Sequence, residues 1–265
     1  MSDERGLPRL GDSAPDFSAV TTQQIDFNFS VWQGQNWVVF FSHPADFTPV
    51  CTTELVAFAQ VNDRFRTRGV KLLGLSVDSV HAHLAWIRNI QEKMGVTIPF
   101  PMIADADMKV ARLYGMVHPN ASSTATVRAV LIIDPKRVIR ALVYYPLNAG
   151  RNVNEILRLA TALQTTDRFA CSTPANWQEG EKVLVSPPKT VQEVEQSLSQ
   201  SEYEHQDFYL AMKDISQPEK VDVAKPAEED VPIATEAKEP TLTETDGAKP
   251  EQSDIDQPTK TESPT

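Results

Sequence analysis

Trp37-Val38-Val39-Phe40-Phe41-Ser42-His43-Pro44-Ala45-Asp46-Phe47-Thr48-Pro49-Val50-Cys51-Thr52-Thr53-Glu54-Leu55 is the stretch that decides the fold class. Its opening residues, 37–41, form a continuous apolar run, the pattern of a short strand covered on both faces. From 52 to 65 the apolar residues Leu55, Phe58, Val61 and Phe65 recur at helical spacing. A buried strand thus passes through a proline-containing loop into a helix, and open α/β sheets place their sites at such strand ends. Cys51 falls in the first helical turn, where unpaired backbone N–H groups and the positive dipole end favour a thiolate. Thr48 can present its hydroxyl on the same side, and Pro44 and Pro49 stiffen the loop. A free cysteine is most often an inert, buried small hydrophobe. The strand-end, helix-start setting favours the reactive reading here.

Outward from this core the chain alternates strand and helix. Residues 71–77 read as a second buried strand, and Ser79 as the N-cap of a helix to about Met94 with Leu84, Ile87 and Ile90 inward. Residues 101–104 suggest a short strand and 107–114 a short helix. Residues 127–133 and 138–144 flank the turn Asp134-Pro135-Lys136-Arg137 and read as an antiparallel hairpin. Asn152 then caps an amphipathic helix carrying Ile156, Leu157, Leu159, Ala160 and Leu163. Such an order predicts an α/β sandwich with a mixed sheet. Residues 167–215 are less regular but hold Phe169, Trp177, Tyr203, Phe208 and Tyr209, enough apolar surface to pack on something.

Composition narrows the function. The 265 residues suffice for one large domain or two smaller ones. Two cysteines exclude a disulfide-dense scaffold and any four-thiolate zinc or iron–sulfur site. A net charge of −11 argues against a nucleic-acid partner, and no apolar run approaches the roughly 20 residues needed to span a bilayer. Met1-Ser2-Asp3-Glu4-Arg5 carries no apolar signal core, so the expectation is a soluble cytoplasmic protein without a membrane partner. After Ile215 the composition breaks: residues 216–265 contain no aromatic residue, 7 of the 19 prolines and −8 of the −11. Too little apolar area is available there to offset ordering entropy, which predicts a disordered acidic tail. No G-x-G-x-x-G phosphate loop and no C-x-x-C redox pair occurs. His81 and His83, two apart on a helix, point to different faces; no metal site is expected, and His83 reads as a packing or hydrogen-bonding residue.

Pro44-x-x-x-Thr48-x-x-Cys51 resembles the active-site signature of peroxiredoxins of the AhpC/TSA family. The longer stretch from His43 to Leu55 is similar to the one-cysteine, peroxiredoxin 6-type subfamily. The likeness continues through Leu75-Ser76-Val77-Asp78-Ser79-Val80, His83-Leu84-Ala85-Trp86, Thr126-Val127-Arg128, Gly150-Arg151-Asn152 and Thr173-Pro174-Ala175-Asn176-Trp177. It covers about residues 7–190, and the tail has no counterpart in it. The resemblance implies a thioredoxin-like fold over 7–166 and a C-terminal extension over 167–215 that packs across a homodimer. It implies a thiol-specific peroxidase that reduces hydrogen peroxide and alkyl hydroperoxides, serves redox homeostasis and needs no cofactor. Cys51 matches the cysteine whose thiolate attacks the O–O bond and becomes a sulfenic acid, regenerated by a small-molecule or protein thiol. Thr48 matches the hydroxyl that bonds thiolate and peroxide, and Arg128 the guanidinium that stabilises both. Pro44 is the residue that shields the sulfur, Glu54 orients the arginines, Arg151 is a second arginine near the pocket, and His43 matches the subfamily's histidine.

Two departures bear on mechanism. Animal members of the subfamily carry a G-x-S-x-G-like element associated with phospholipase activity; here the stretch is Gly34-Gln35-Asn36-Trp37-Val38, and the amide of Asn36 cannot act as an acyl-accepting nucleophile. Two-cysteine relatives place a resolving cysteine immediately before a Pro-Ala-x-Trp element, a slot filled here by Thr173, while Cys171 lies two residues upstream. That offset favours the one-cysteine mechanism with Cys171 a spectator, although a loosely held extension can bring it to a partner subunit's Cys51. A rival of another class is a non-enzymatic holdase or interaction protein that uses the acidic tail; peroxide-consuming turnover separates the two.

Overall fold

The computed structural model describes residues 7–215. The chain begins with β1 (Ser18–Ala19), β2 (Phe27–Asn28), α1 (Phe29–Gln33), β3 (Trp37–Ser42), α2 (Pro49–Gln60) and α3 (Asn62–Arg66). It continues through β4 (Val70–Ser76), α4 (Val80–Met94), β5 (Met102–Ala104), α5 (Lys109–Leu113), β6 (Arg128–Ile133) and β7 (Ile139–Tyr145). It closes with α6 (Val153–Phe169), β8 (Val183–Leu184), α7 (Val191–Leu198), β9 (Tyr203–Asp207) and β10 (Leu210–Lys213). The expected tail over 216–265 lies outside the described residues.

A five-stranded mixed sheet of order β5-β4-β3-β6-β7 carries the fold: β3, β4 and β5 run parallel, and β6 and β7 antiparallel. Every residue of β3 is buried, as its unbroken apolar run requires for a central strand. Its two-residue period divides the core. Trp37, Val39 and Phe41 point to the layer of α2, α4 and α6, where Leu55, Phe58, Trp86, Ile156 and Ala160 wait. Val38 and Phe40 point to the other layer, with Phe29 of α1, Val110 of α5 and Tyr114. Among the described residues no helix is long and apolar enough to cross a membrane.

Most expected elements are present, with local corrections. The helix expected over 52–65 starts earlier, at Pro49, because proline at the first position has no N–H to lose; it breaks at Val61 into α2 and α3. On α4 the capping by Ser79 is as expected, its side chain accepting from Ala82 N, but Leu84 is 47% exposed. Ile90 is buried and Ile87 packs against the core as expected, while the inward place expected of Leu84 is taken by His83, which meets polar partners inside, beside buried Trp86. The short helix expected from 107 begins at Lys109, because Met108 is left-handed (φ 58°) and the Asp105 carboxylate accepts from Val110 N and Ala111 N. Residues 167–215, read as irregular, form α7 and a three-stranded sheet of order β8-β10-β9. Helix α6 runs on to Phe169, and Trp177 is buried against Ala162 and Val183.

Candidate active site

Cys51 sits at the third position of α2, facing inward and 1% exposed. Thr48 is the N-cap but makes no side-chain cap, and Pro49 has no N–H, so the amides of Val50 and Cys51 remain at the positive end of the helix. Phe47, just before the cap, is held at φ 55°, a strained conformation for a residue with a Cβ. The Thr48 hydroxyl donates to Ala45 O at 2.8 Å. Its proton is thus directed away from the sulfur expected to receive it, and its lone pairs are what it offers the pocket.

Strand β6 brings Arg128 to the sulfur: Nη1 stands 3.3 Å from Cys51 Sγ and donates to Glu54 Oε2 at 2.7 Å. Its Nε and Nη2 donate to Leu147 O, which fixes the plane of the guanidinium. Glu54, three residues after Cys51, shares its helix face and accepts from Arg151 at N, Nε and Nη2 at 2.7–2.9 Å. Arg151 Nη1 donates to Ser42 O and Ala129 O, locking β3 to β6 beneath the site, and its guanidinium lies 5.2 Å from the Phe41 ring centre. Burial lowers Arg151 from its ordinary value against the opposing Glu54. Burial also raises the Glu54 carboxyl, but the bonds from Arg151 and the charge of Arg128 outweigh it and hold it below the usual carboxylate range. Two buried guanidinium ions and one carboxylate leave one uncompensated positive charge beside the sulfur. An anion at Sγ completes the balance. The arrangement can therefore hold a nucleophilic thiolate and stabilise charge developing on an oxygen next to it.

Of the expected residues, Cys51, Arg128, Glu54 and Arg151 converge. Pro44 is half-buried in the loop between β3 and α2. His43 is buried and is bonded to Asp46, Nε2 to Oδ1 at 2.8 Å. Asp46, which the sequence reading passed over, also meets His83 Nδ1 through Oδ2 at 2.7 Å; the i, i+3 spacing of His43 and Asp46 was the available signal. These three side chains lie within 4.8 Å of one another, close enough for a divalent cation, yet the facing atoms are already used in mutual hydrogen bonds. Cys171 is apart from the site. It follows α6, whose far end carries Arg151, so about 25 Å of helix lies between. It packs against the cluster of Ala162, Trp177 and Val183, and burial pushes its thiol up.

Comparison with known proteins follows the geometry. Residues 10–142 match the AhpC/TSA family and residues 162–200 the C-terminal domain of 1-Cys peroxiredoxin. A peroxiredoxin of Aquifex aeolicus is 51% identical over 220 residues, covering 79% of this chain and 98% of the relative. A yeast mitochondrial 1-Cys peroxiredoxin is 42% identical with a TM-score of 0.71, over 78% of this chain and 100% of that structure. A peroxiredoxin 6 of Arenicola marina is 38% identical with a TM-score of 0.69, over 78% and 97%.

Proposed function

We propose a catalytic cycle for Cys51 from the premise that this chain belongs to the AhpC/TSA family: it is a peroxiredoxin, a thiol-dependent peroxidase with a thioredoxin-like fold. The Cys51 thiolate attacks the terminal oxygen of hydrogen peroxide or an alkyl hydroperoxide; an S–O bond forms, the O–O bond breaks, and water or an alcohol leaves after taking up a proton. The resulting sulfenic acid condenses with an external thiol to release water, and a second thiol returns Cys51 and leaves as a disulfide. The observation that carries this reading is Arg128 Nη1 at 3.3 Å from Cys51 Sγ in a pocket with an unbalanced positive charge. Arg128 stabilises the attacking sulfur and the departing oxygen, Thr48 accepts the peroxide O–H, Glu54 and Arg151 hold Arg128 in place, and Pro44 limits solvent access. Peroxide consumption with dithiothreitol as reductant tests it: Cys51→Ser is expected to abolish turnover while keeping the fold, and persistent turnover in that variant sinks the assignment.

A one-cysteine cycle is part of the proposal, supported by the packed position and raised pKa of Cys171. So is a homodimer through residues 167–215, supported by the match of 162–200 to the 1-Cys C-terminal domain. A serine-dependent phospholipase activity is not part of it: Asn36 donates its side-chain amide to Gln33 O in a turn and has no hydroxyl to acylate.

A further inference from the structure

Ser42, the last residue of β3, is completely buried, and its hydroxyl makes two bonds into the neighbouring strand. Oγ donates to Val127 O at 2.7 Å and accepts from Ala129 N at 3.2 Å. A hydroxyl has one proton to give and lone pairs to receive with, so one side chain serves both groups. Val127 and Ala129 are the two sequence neighbours of Arg128. They face the layer of Phe40 and Tyr114, so Arg128 between them faces the layer of Cys51 and Phe58.

The hydroxyl acts where the backbone pairing has ended. The antiparallel ladder between β3 and β6 runs from Val38 and Ile133 to Phe41 and Val130. Beyond that last pair, side chains join the two segments. Besides Ser42, Thr126 Oγ1 donates to His43 O at 2.7 Å, and Arg151 Nη1 donates to Ser42 O and Ala129 O at 2.9 Å each. On its other side Arg128 pairs with Tyr145 of β7. It is β3, however, that runs on into the loop and helix carrying Cys51. The Ser42 bonds therefore fix the Arg128 backbone against the strand from which the sulfur is hung.

We propose that Ser42 is a positioning residue for the peroxidase reaction: by bonding the peptide groups on either side of Arg128, it sets that guanidinium 3.3 Å from Cys51 Sγ. Such a contact weakens steeply as the donor moves or tilts, so a small shift of the strand is felt at the sulfur. Both capacities of the Ser42 hydroxyl are taken by backbone groups, and its effect on the chemistry passes through Arg128. The inference rests on the reading of Cys51 as the attacking sulfur with Arg128 beside it.

The test compares the full chain with Ser42→Ala by two measurements. One is the side-chain 1H–15N spectrum of protein labelled with 15N-arginine. The other is the second-order rate with hydrogen peroxide, with and without Arg128→Met. In Ser42→Ala the Arg128 Nε–H signal is expected to shift and the rate to fall about five-fold, the worth of one hydrogen bond. Added to Arg128→Met, the same change is expected to alter the rate by less than about two-fold, because no guanidinium is left to place. An equal loss in both backgrounds is what a merely structural serine gives, and it overturns the proposal. So does either readout left unchanged by Ser42→Ala. Should the alanine variant fail to fold, Ser42→Cys, nearly the same size but a weaker donor and acceptor, is read by the same outcomes. Turnover surviving in Cys51→Ser removes the reading beneath the proposal without altering the Arg128 spectrum, so the two failures are distinguishable.

Discussion

Glu54 accepts four hydrogen bonds, three from Arg151 and one from Arg128, so its removal leaves two buried cations without their anion. Breaking a buried ion pair in this way costs about 3–5 kcal/mol, and chemical denaturation of Glu54→Gln is expected to show a loss of that size. The pH dependence has a definite sign. The folded-state pKa of Glu54 lies below its unfolded value of about 4.3, so its contribution is complete above that pH and is lost as pH falls through the folded pKa. Denaturation midpoints between pH 3 and 7 should therefore fall more steeply on acidification in the wild type than in Glu54→Gln; parallel curves contradict this. Arg128 stands against the sulfur itself, with Nη1 3.3 Å from Cys51 Sγ. Its replacement by Met is expected to cost about 2–4 kcal/mol of transition-state stabilisation, read as kcat/KM for hydrogen peroxide.

Two helix caps with the same local chemistry differ in where they stand. The Ser79 side chain accepts from Ala82 N and the Asn152 side chain from Glu155 N. Either cap is worth about 1 kcal/mol, which Ser79→Ala and Asn152→Ala should each lose in thermal or chemical denaturation. Only Asn152 adjoins a residue of the site, since α6 begins immediately after Arg151. Peroxide turnover is expected to stay unchanged in Ser79→Ala and to fall in Asn152→Ala; equal turnover in both separates the cap from the positioning of Arg151. The capping residues and strand runs were legible because each depends on a few neighbours in sequence. The buried face of α4 was not, because His83 becomes an inward residue only when Asp46 and Ile103 arrive from other elements.

For the whole molecule, the position of Cys171 past the far end of α6 makes an intrachain bond to Cys51 incompatible with the roughly 7 Å that a disulfide allows between Cα atoms. After one equivalent of peroxide, non-reducing gels of wild type and Cys171→Ser are expected to look alike, with sulfenic acid trapped on Cys51 in both. A dimer band that forms quickly in the wild type and vanishes in the variant overturns the one-cysteine cycle.

The sequence by itself determined the strand-to-helix unit around Cys51, the caps at Ser79 and Asn152 and the hairpin. All are short-range: an apolar run, a proline at a helix start, a side chain that reaches its own helix. The pairing of Cys51 with Arg128, separated by 77 residues, was legible only through family resemblance. Tertiary structure alone decided that on α4 His83 turns inward while Leu84 faces solvent, and that Asp46 joins His43 to His83 across 37 residues. The physical reason is common to both. A buried polar group is placed by whichever partner satisfies it, and those partners are brought together by the sheet and helices around it, not by their order along the chain.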